Sequence, residues 1–187
     1  MNTDYEVFDN IYKKGGWNGL GSGPGSLVKN NKEYIQILHN IIDYTPSINT
    51  IVDLGCGDWQ IMKELKLKKK YVGIDVSSTV IENNIKTHSK ENISFKVSNL
   101  VTDELPDGDL CIIKDVLQHL PNKDVFKCLE KLKKFKYCLI TNDYTDVNYK
   151  DIKIGRYRKL NILLEPFNHN GVTIYGYIGK QVVLSMI

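Results

Sequence analysis

The chain has 187 residues, with 25 basic against 22 acidic side chains, a formal net charge of +3 and 42% hydrophobic residues. This length suits one domain with a substantial core, and so even a charge balance marks neither nucleic acid nor an anionic membrane as a partner. Cys56, Cys111, Cys128 and Cys138 show no Cys-x-x-Cys spacing, so no zinc site is expected, and no apolar run approaches the ~18 residues of a membrane span. With no signal peptide legible, the expectation is a cytoplasmic protein with reduced thiols.

In chain order, Asp4–Tyr12 reads as a short helix with Tyr5, Phe8, Ile11 and Tyr12 on one side. A glycine-dense loop follows, from Gly15 to Ser26, carrying Trp17 and Pro24. Such composition suits a flexible arm. A tryptophan in its middle is costly to leave in water, which favours a loop folded over a ligand instead. Residues 1–30 are therefore set apart as an N-terminal helix and covering loop, and 31–187 as a single domain. Asn31–Tyr44 has Tyr34, Ile35, Leu38, Ile41 and Ile42 at helical spacing, with Pro46 beyond its end.

Five apolar, β-branched runs then appear: Thr50–Leu54, Tyr71–Asp75, Ile93–Val97, Asp109–Ile113 and Tyr137–Thr141. Helices are expected between them: one from near Asp58, one from Ser77 or Ser78 to about His88 with Val80, Ile81 and Ile85 inward, and one from Lys123 to about Phe135. Val172–Ile178 and Val182–Ile187 flank Gly179-Lys180-Gln181 and read as a hairpin. The fold class is α/β: a doubly wound, Rossmann-like sheet of five parallel strands closed by an antiparallel C-terminal hairpin, seven strands in all.

Ligands of such sheets sit at the carboxyl ends of the strands, where strand order reverses. That rule gathers Asp53, Gly55, Gly57, Asp75, Asn99, Lys114, Asp115, Asn142 and Asp143 around one crevice. A glycine-rich turn with an acid ~20 residues on is a nucleoside-binding arrangement. A nicotinamide dinucleotide would want a third glycine and an open helix N-terminus for its pyrophosphate. Here the run is Gly55-Cys-Gly57-Asp-Trp-Gln60, with Asp58 where that pyrophosphate would lie. Asp53 instead suits a ligand bearing an ammonium or sulfonium charge, which points to S-adenosylmethionine.

Val52-Asp-Leu-Gly-Cys-Gly57, Tyr71-Val-Gly-Ile-Asp75 and the segment Asp109–Leu120 together resemble the motifs of class I S-adenosylmethionine-dependent methyltransferases, in their small-molecule branch. The resemblance covers about residues 48–145. The N-terminal loop and Gly57-Asp-Trp59 are similar to a narrower subgroup associated with surface-glycan gene sets. The resemblance implies that Gly55 and Gly57 pass the methionine moiety, that Asp75 holds the ribose, and that Val76, Asn99 and Leu100 flank the adenine. Asn99 stands where the family usually has an acid. Trp17, Ser22 and Ser26 from the covering loop, with Asp53 and Lys114, complete the expected cofactor set, and S-adenosylhomocysteine is the expected product.

A hydroxyl acceptor must also lose a proton. His119 is the candidate base, with helix capping or packing as its alternative role; Asp143 is the second candidate. Trp59, Tyr144, Arg156 and Arg158 are expected on the acceptor side, and paired arginines suit a phosphate, nucleotide or carboxylate, or else are plain surface charge. Tyr149 and Tyr157 offer further stacking faces. No metal is expected. The preferred reaction is O-methylation of a sugar or nucleotide-linked sugar in surface-glycan biosynthesis, with a small-molecule or glycan acceptor as partner. Nucleic-acid methylation and non-catalytic S-adenosylmethionine binding are the alternatives; a membrane and nucleic acid are not expected as partners, and a homodimer is an open expectation.

Overall fold

The five central apolar runs build the sheet. In the computed structural model, which describes residues 6–148 and 150–186, they are β1 (Thr50–Leu54), β2 (Lys70–Asp75), β3 (Ile93–Val97), β4 (Leu110–Lys114) and β5 (Tyr137–Asp143). All their pairings are parallel. β6 (Val172–Tyr177) and β7 (Lys180–Met186) form the C-terminal hairpin, and β7 lies antiparallel to β5. The order β3-β2-β1-β4-β5-β7-β6 is the expected seven-stranded sheet, reversing direction between β1 and β4.

Both faces of the sheet are covered, which is why its strands are apolar throughout rather than alternating with polar residues. Val52 and Leu54 of β1 point into one core with Ile113, Val125, Leu129 and Phe135. Ile51 points into the other, with Leu38, Ile42, Tyr71 and Ile81. The helices that supply these layers are α1 (Glu6–Lys13), α2 (Lys32–Tyr44), α3 (Ser78–His88) and α4 (Asn122–Leu132). Ser77 caps α3 by accepting from Val80 N, as its position predicts, but Ile85 is left 48% exposed. No helix among the described residues is long and apolar enough to cross a membrane.

Two local expectations need correction. The segment after β1 is not an α-helix: residues 58–61 are turns, followed by a single 3₁₀ turn over Met62–Leu65. Trp59 and Lys66 both take left-handed backbone angles, φ 59° and 46°, which interrupt a helix at either end. The hairpin turn is Ile178-Gly179, not Gly179-Lys180-Gln181. Both residues have positive φ, 43° and 71°, as the two-residue turns that match strand twist require. Lys180 thereby becomes the first residue of β7. Of the residues assigned to elements from sequence, Asp4, Tyr5 and Ile187 lie outside the described residues, as does Tyr149.

Candidate active site

A cavity of about 580 Å³ opens at the carboxyl ends of the parallel strands, beside the switch point between β1 and β4. Its floor is the turn after β1. Gly55 and Gly57 have φ of 75° and 52°; a Cβ on Gly55 would fall 2.4 Å from Val116 Cγ2, and one on Gly57 2.2 Å from Ser22 Oγ. Only glycine fits either position. Gly57 N donates to Asp75 Oδ2 at 3.1 Å and Ser77 N to Asp75 Oδ1 at 3.0 Å, fixing the carboxylate at the end of β2. Each carboxylate oxygen keeps a lone pair for a further donor such as a ribose hydroxyl. Burial pushes the Asp75 carboxyl up to about 6. Val76, Asn99 and Leu100 line the same end of the cavity. The Asn99 side-chain oxygen accepts from Val101 N at 2.9 Å, so it is already shaping the turn after β3.

The glycine-rich loop forms the opposite wall, through Trp17, Ser22 and Ser26 among others. Its attachment to the strand ends is reciprocal. Ser22 N donates to Asp58 Oδ2 at 3.1 Å, while Asp58 N donates to Ser22 Oγ at 2.9 Å. Tyr12 Oη shares a hydrogen bond with Ser22 Oγ, and Lys114 Nζ donates to Gly25 O, each at 2.8 Å. Asp58, which argued against a pyrophosphate at this position, thus serves as the anchor of the loop.

At the far end of the cavity lies a chain of ion pairs. The antiparallel register sets Lys180 opposite Asp143. Its ammonium lies 2.7 Å from Asp143 Oδ1 and 2.7 Å from Asp115 Oδ1, while Lys114 holds Asp115 Oδ2 at 2.5 Å. Tyr157 Oη donates to Asp143 Oδ2 at 2.6 Å. Burial opposes ionisation of Asp143, but the hydrogen bonds from Lys180 and Tyr157 outweigh it and hold the carboxyl below its usual range. Both Asp143 oxygens are engaged and the group is a weakened base, so its geometry suits positioning rather than proton abstraction.

His119 follows β4 in a single 3₁₀ turn and packs between Trp17 and Tyr157, with ring centroids 5.7 and 6.0 Å away. Its Nδ1 lies 3.1 Å from the Arg156 carbonyl oxygen. A carbonyl only accepts, so Nδ1 carries the proton. Burial lowers the imidazole pKa, against the opposing effects of that hydrogen bond and of Asp115 and Asp143. The neutral ring therefore keeps its lone pair on Nε2.

Solved structures share this architecture at low sequence identity. Magnesium protoporphyrin IX methyltransferase from Synechocystis PCC 6803, crystallised with bound SAH, aligns with TM-score 0.66 and 12% identity over 97% of each chain. Human N-acetylserotonin methyltransferase, in complex with SAM, gives 0.64 and 17%, covering 98% of this chain and 59% of that one. The methyltransferase domain of bacterial CtHen1 gives 0.64 and 16%, over 84% of this chain and 99% of that one. No curated protein sequence matches the chain. A family described as a methyltransferase domain matches residues 51–135, the stretch that carries the glycine turn, Asp75, Lys114 and His119. Residues 51–135 thus match a methyltransferase domain, and the fold around them is the one these solved methyltransferases share.

Trp17, Ser22, Ser26, Gly55, Gly57, Asp75, Val76, Asn99, Leu100, Lys114, His119 and Asp143 all line the main cavity. Five expected site residues do not. Asp53 lies on the far side of the β1 turn, accepting from Tyr71 Oη at 2.7 Å, and burial pushes its carboxyl up to about 7. Trp59 is only 7% exposed and packs among Tyr71, His88 and Phe95; its left-handed backbone turns the indole into the core and away from an acceptor. Arg158 is buried as well, donating to Leu120 O at 3.0 Å and pairing with Asp151 at 3.4 Å, so it ties the 150s segment to the α4 entrance. Tyr144 is 53% exposed and outside the cavity. Arg156 faces a second groove on the other side of the Tyr157 wall. Sequence reading missed Lys180, whose signal was the hairpin itself: an antiparallel return beside β5 must bring its turn to the crevice.

Proposed function

We propose that this methyltransferase carries a methyl group from S-adenosylmethionine to a hydroxyl oxygen of a sugar or nucleotide-linked sugar, in surface-glycan biosynthesis, leaving S-adenosylhomocysteine. The residues fit that cofactor: two glycines without side chains at the β1 turn, an ionisable Asp75 with spare acceptor capacity, and apolar Val76 and Leu100 beside it. When bound, it supplies an electrophilic methyl on a sulfonium centre.

The observation that carries the hydroxyl assignment is His119. Asp143 is ion-paired with Lys180 and hydrogen-bonded by Tyr157, and Lys180 is itself held charged by two carboxylates despite its burial. That leaves one neutral nitrogen base in the cavity wall, with Nδ1–H fixed on the Arg156 carbonyl. His119 Nε2 takes the hydroxyl proton while the ion-paired wall and Trp17 restrict the acceptor to a near-attack position. Tyr157, 55% exposed at the cavity wall, offers an aromatic face to a sugar ring.

The test is incubation of the purified chain with S-adenosylmethionine and a panel of free sugars, nucleotide sugars, phenols, amines and RNA. Formation of S-adenosylhomocysteine and an O-methylated sugar, read by mass spectrometry, is the expected result. Methylation confined to amines or RNA would overturn the hydroxyl reading.

A further inference from the structure

Back to back with the main cavity is a second groove of about 660 Å³, between α1, the entrance to α4 and the 150s segment. The partition between them is made of neighbouring residue pairs. Val7, Pro121 and Arg156 face the groove; Phe8, Leu120 and Tyr157 face the cavity. Lys123, Lys153 and Arg156 bring three exposed cations to the groove, and none has an ion-pair partner among the described residues. The acids nearby are committed elsewhere. Asp151 accepts from Asn122 N at 2.7 Å and pairs with Arg158, while Asp124, the one carboxylate in the groove lining, is 6% exposed and lies 3.7 Å from Lys127. The main cavity shows the opposite pattern, with Lys114 paired to Asp115 and Lys180 to both Asp115 and Asp143.

We infer that the groove holds the diphosphate of the acceptor, gripped by Lys123, Lys153 and Arg156, while the acceptor's sugar reaches over the Tyr157 edge to His119. This rests on the hydroxyl-acceptor reading above and narrows it to a phosphate-bearing sugar. The link between groove and base is built into the backbone, because Arg156, which lines the groove, is the residue whose carbonyl holds His119 Nδ1. Arginine supplies a planar fork and lysine a compact point charge, and three such groups match a dianion or trianion better than a single carboxylate. The split of charge also explains a neutral, fully paired wall around the reacting hydroxyl: the anionic part of the acceptor is held outside it.

The test uses the intact chain saturated with S-adenosylhomocysteine and inorganic pyrophosphate as the probe. Pyrophosphate should shield Lys123 and Lys153 from amine acetylation several-fold, read by peptide mass spectrometry, while Lys63 and Lys68 keep reacting. In calorimetry, K123A/K153A/R156A should bind pyrophosphate at least tenfold more weakly with unchanged affinity for S-adenosylhomocysteine. K63A/K68A/K70A, which removes the same charge elsewhere, should change neither. Equal weakening in both triple variants, or equal shielding by citrate, would overturn the diphosphate site. Failure of the wild-type chain to bind S-adenosylhomocysteine would strike the activity proposed above; intact binding of it without site-selective pyrophosphate binding would strike this inference alone.

Discussion

His119 is neutral at pH 7 because burial lowers its pKa from an ordinary ~6.5. The proposed base works only unprotonated, so turnover should fall as pH drops through that lowered value and stay flat above it. His119→Ala should slow turnover by roughly 10²–10⁴ while leaving S-adenosylhomocysteine affinity unchanged. Unaltered turnover would return the residue to a packing role between Trp17 and Tyr157. Asp53 makes the complementary case for stability. Its carboxyl titrates near 7 in the folded chain against 3.8 when unperturbed, because burial disfavours the charged form. The folded state therefore holds a proton that the unfolded state has already lost, and this acid costs stability as pH rises from about 4 through about 7. Asp53→Asn can still accept from Tyr71 and carries no charge. Its stability relative to wild type, from urea unfolding, should accordingly rise between pH 5 and pH 8; a pH-independent difference would contradict the buried-acid account.

Among the elements, α1 carries a consequence for ligand exchange. Asp9 Oδ1 accepts from Ser77 Oγ at 2.7 Å and from Thr79 N at 3.0 Å, so a residue of α1 caps the N-terminus of α3 and latches the covering segment down. Burial works against ionisation here, yet Lys13 and these donors prevail and hold the carboxyl well below the usual range. Asp9→Ala should cost about 0.5–2 kcal/mol, the range for losing a helix cap. It should also speed release of S-adenosylhomocysteine, followed through the fluorescence of Trp17 in stopped flow. Unchanged release would mean that Ser22 and Asp58 alone hold the loop. The strands and the glycine turn were legible beforehand because a near-continuous apolar run bounded by Gly55 or Asp75 has few other structural readings. The lid was only half legible: Trp17 announced a buried partner, but the reciprocal Ser22–Asp58 bonds span 36 residues and no local pattern encodes them. Trp59 and Arg158 were misplaced for a related reason. Residue type suggested stacking and phosphate binding, whereas a left-handed φ in one and an acid seven residues upstream of the other decided where each side chain went.

At the scale of the whole molecule, the cavity is lined from the ends of β1, β2, β4, β5 and β7 together with α1 and the covering loop. A ligand there touches segments from Phe8 to Lys180, a constellation that only the folded chain assembles. Binding to the folded state alone adds about 2.7 kcal/mol at a free ligand concentration of roughly 100 times its Kd. For a chain of this size each kcal/mol moves the melting temperature by about 2–4 °C. S-adenosylhomocysteine should therefore raise the thermal midpoint by about 5–10 °C under those conditions. NAD, whose pyrophosphate would meet the Asp58 carboxylate and the loop anchored on it, should leave the midpoint where it was. Equal shifts from both would show that the crevice reads only an adenosine. A shift from S-adenosylhomocysteine that disappears in Asp75→Ala, with the midpoint of the free variant still cooperative, would locate the effect at the ribose end of the cavity. If the shift persisted in that variant, the nucleoside would lie elsewhere in the cavity.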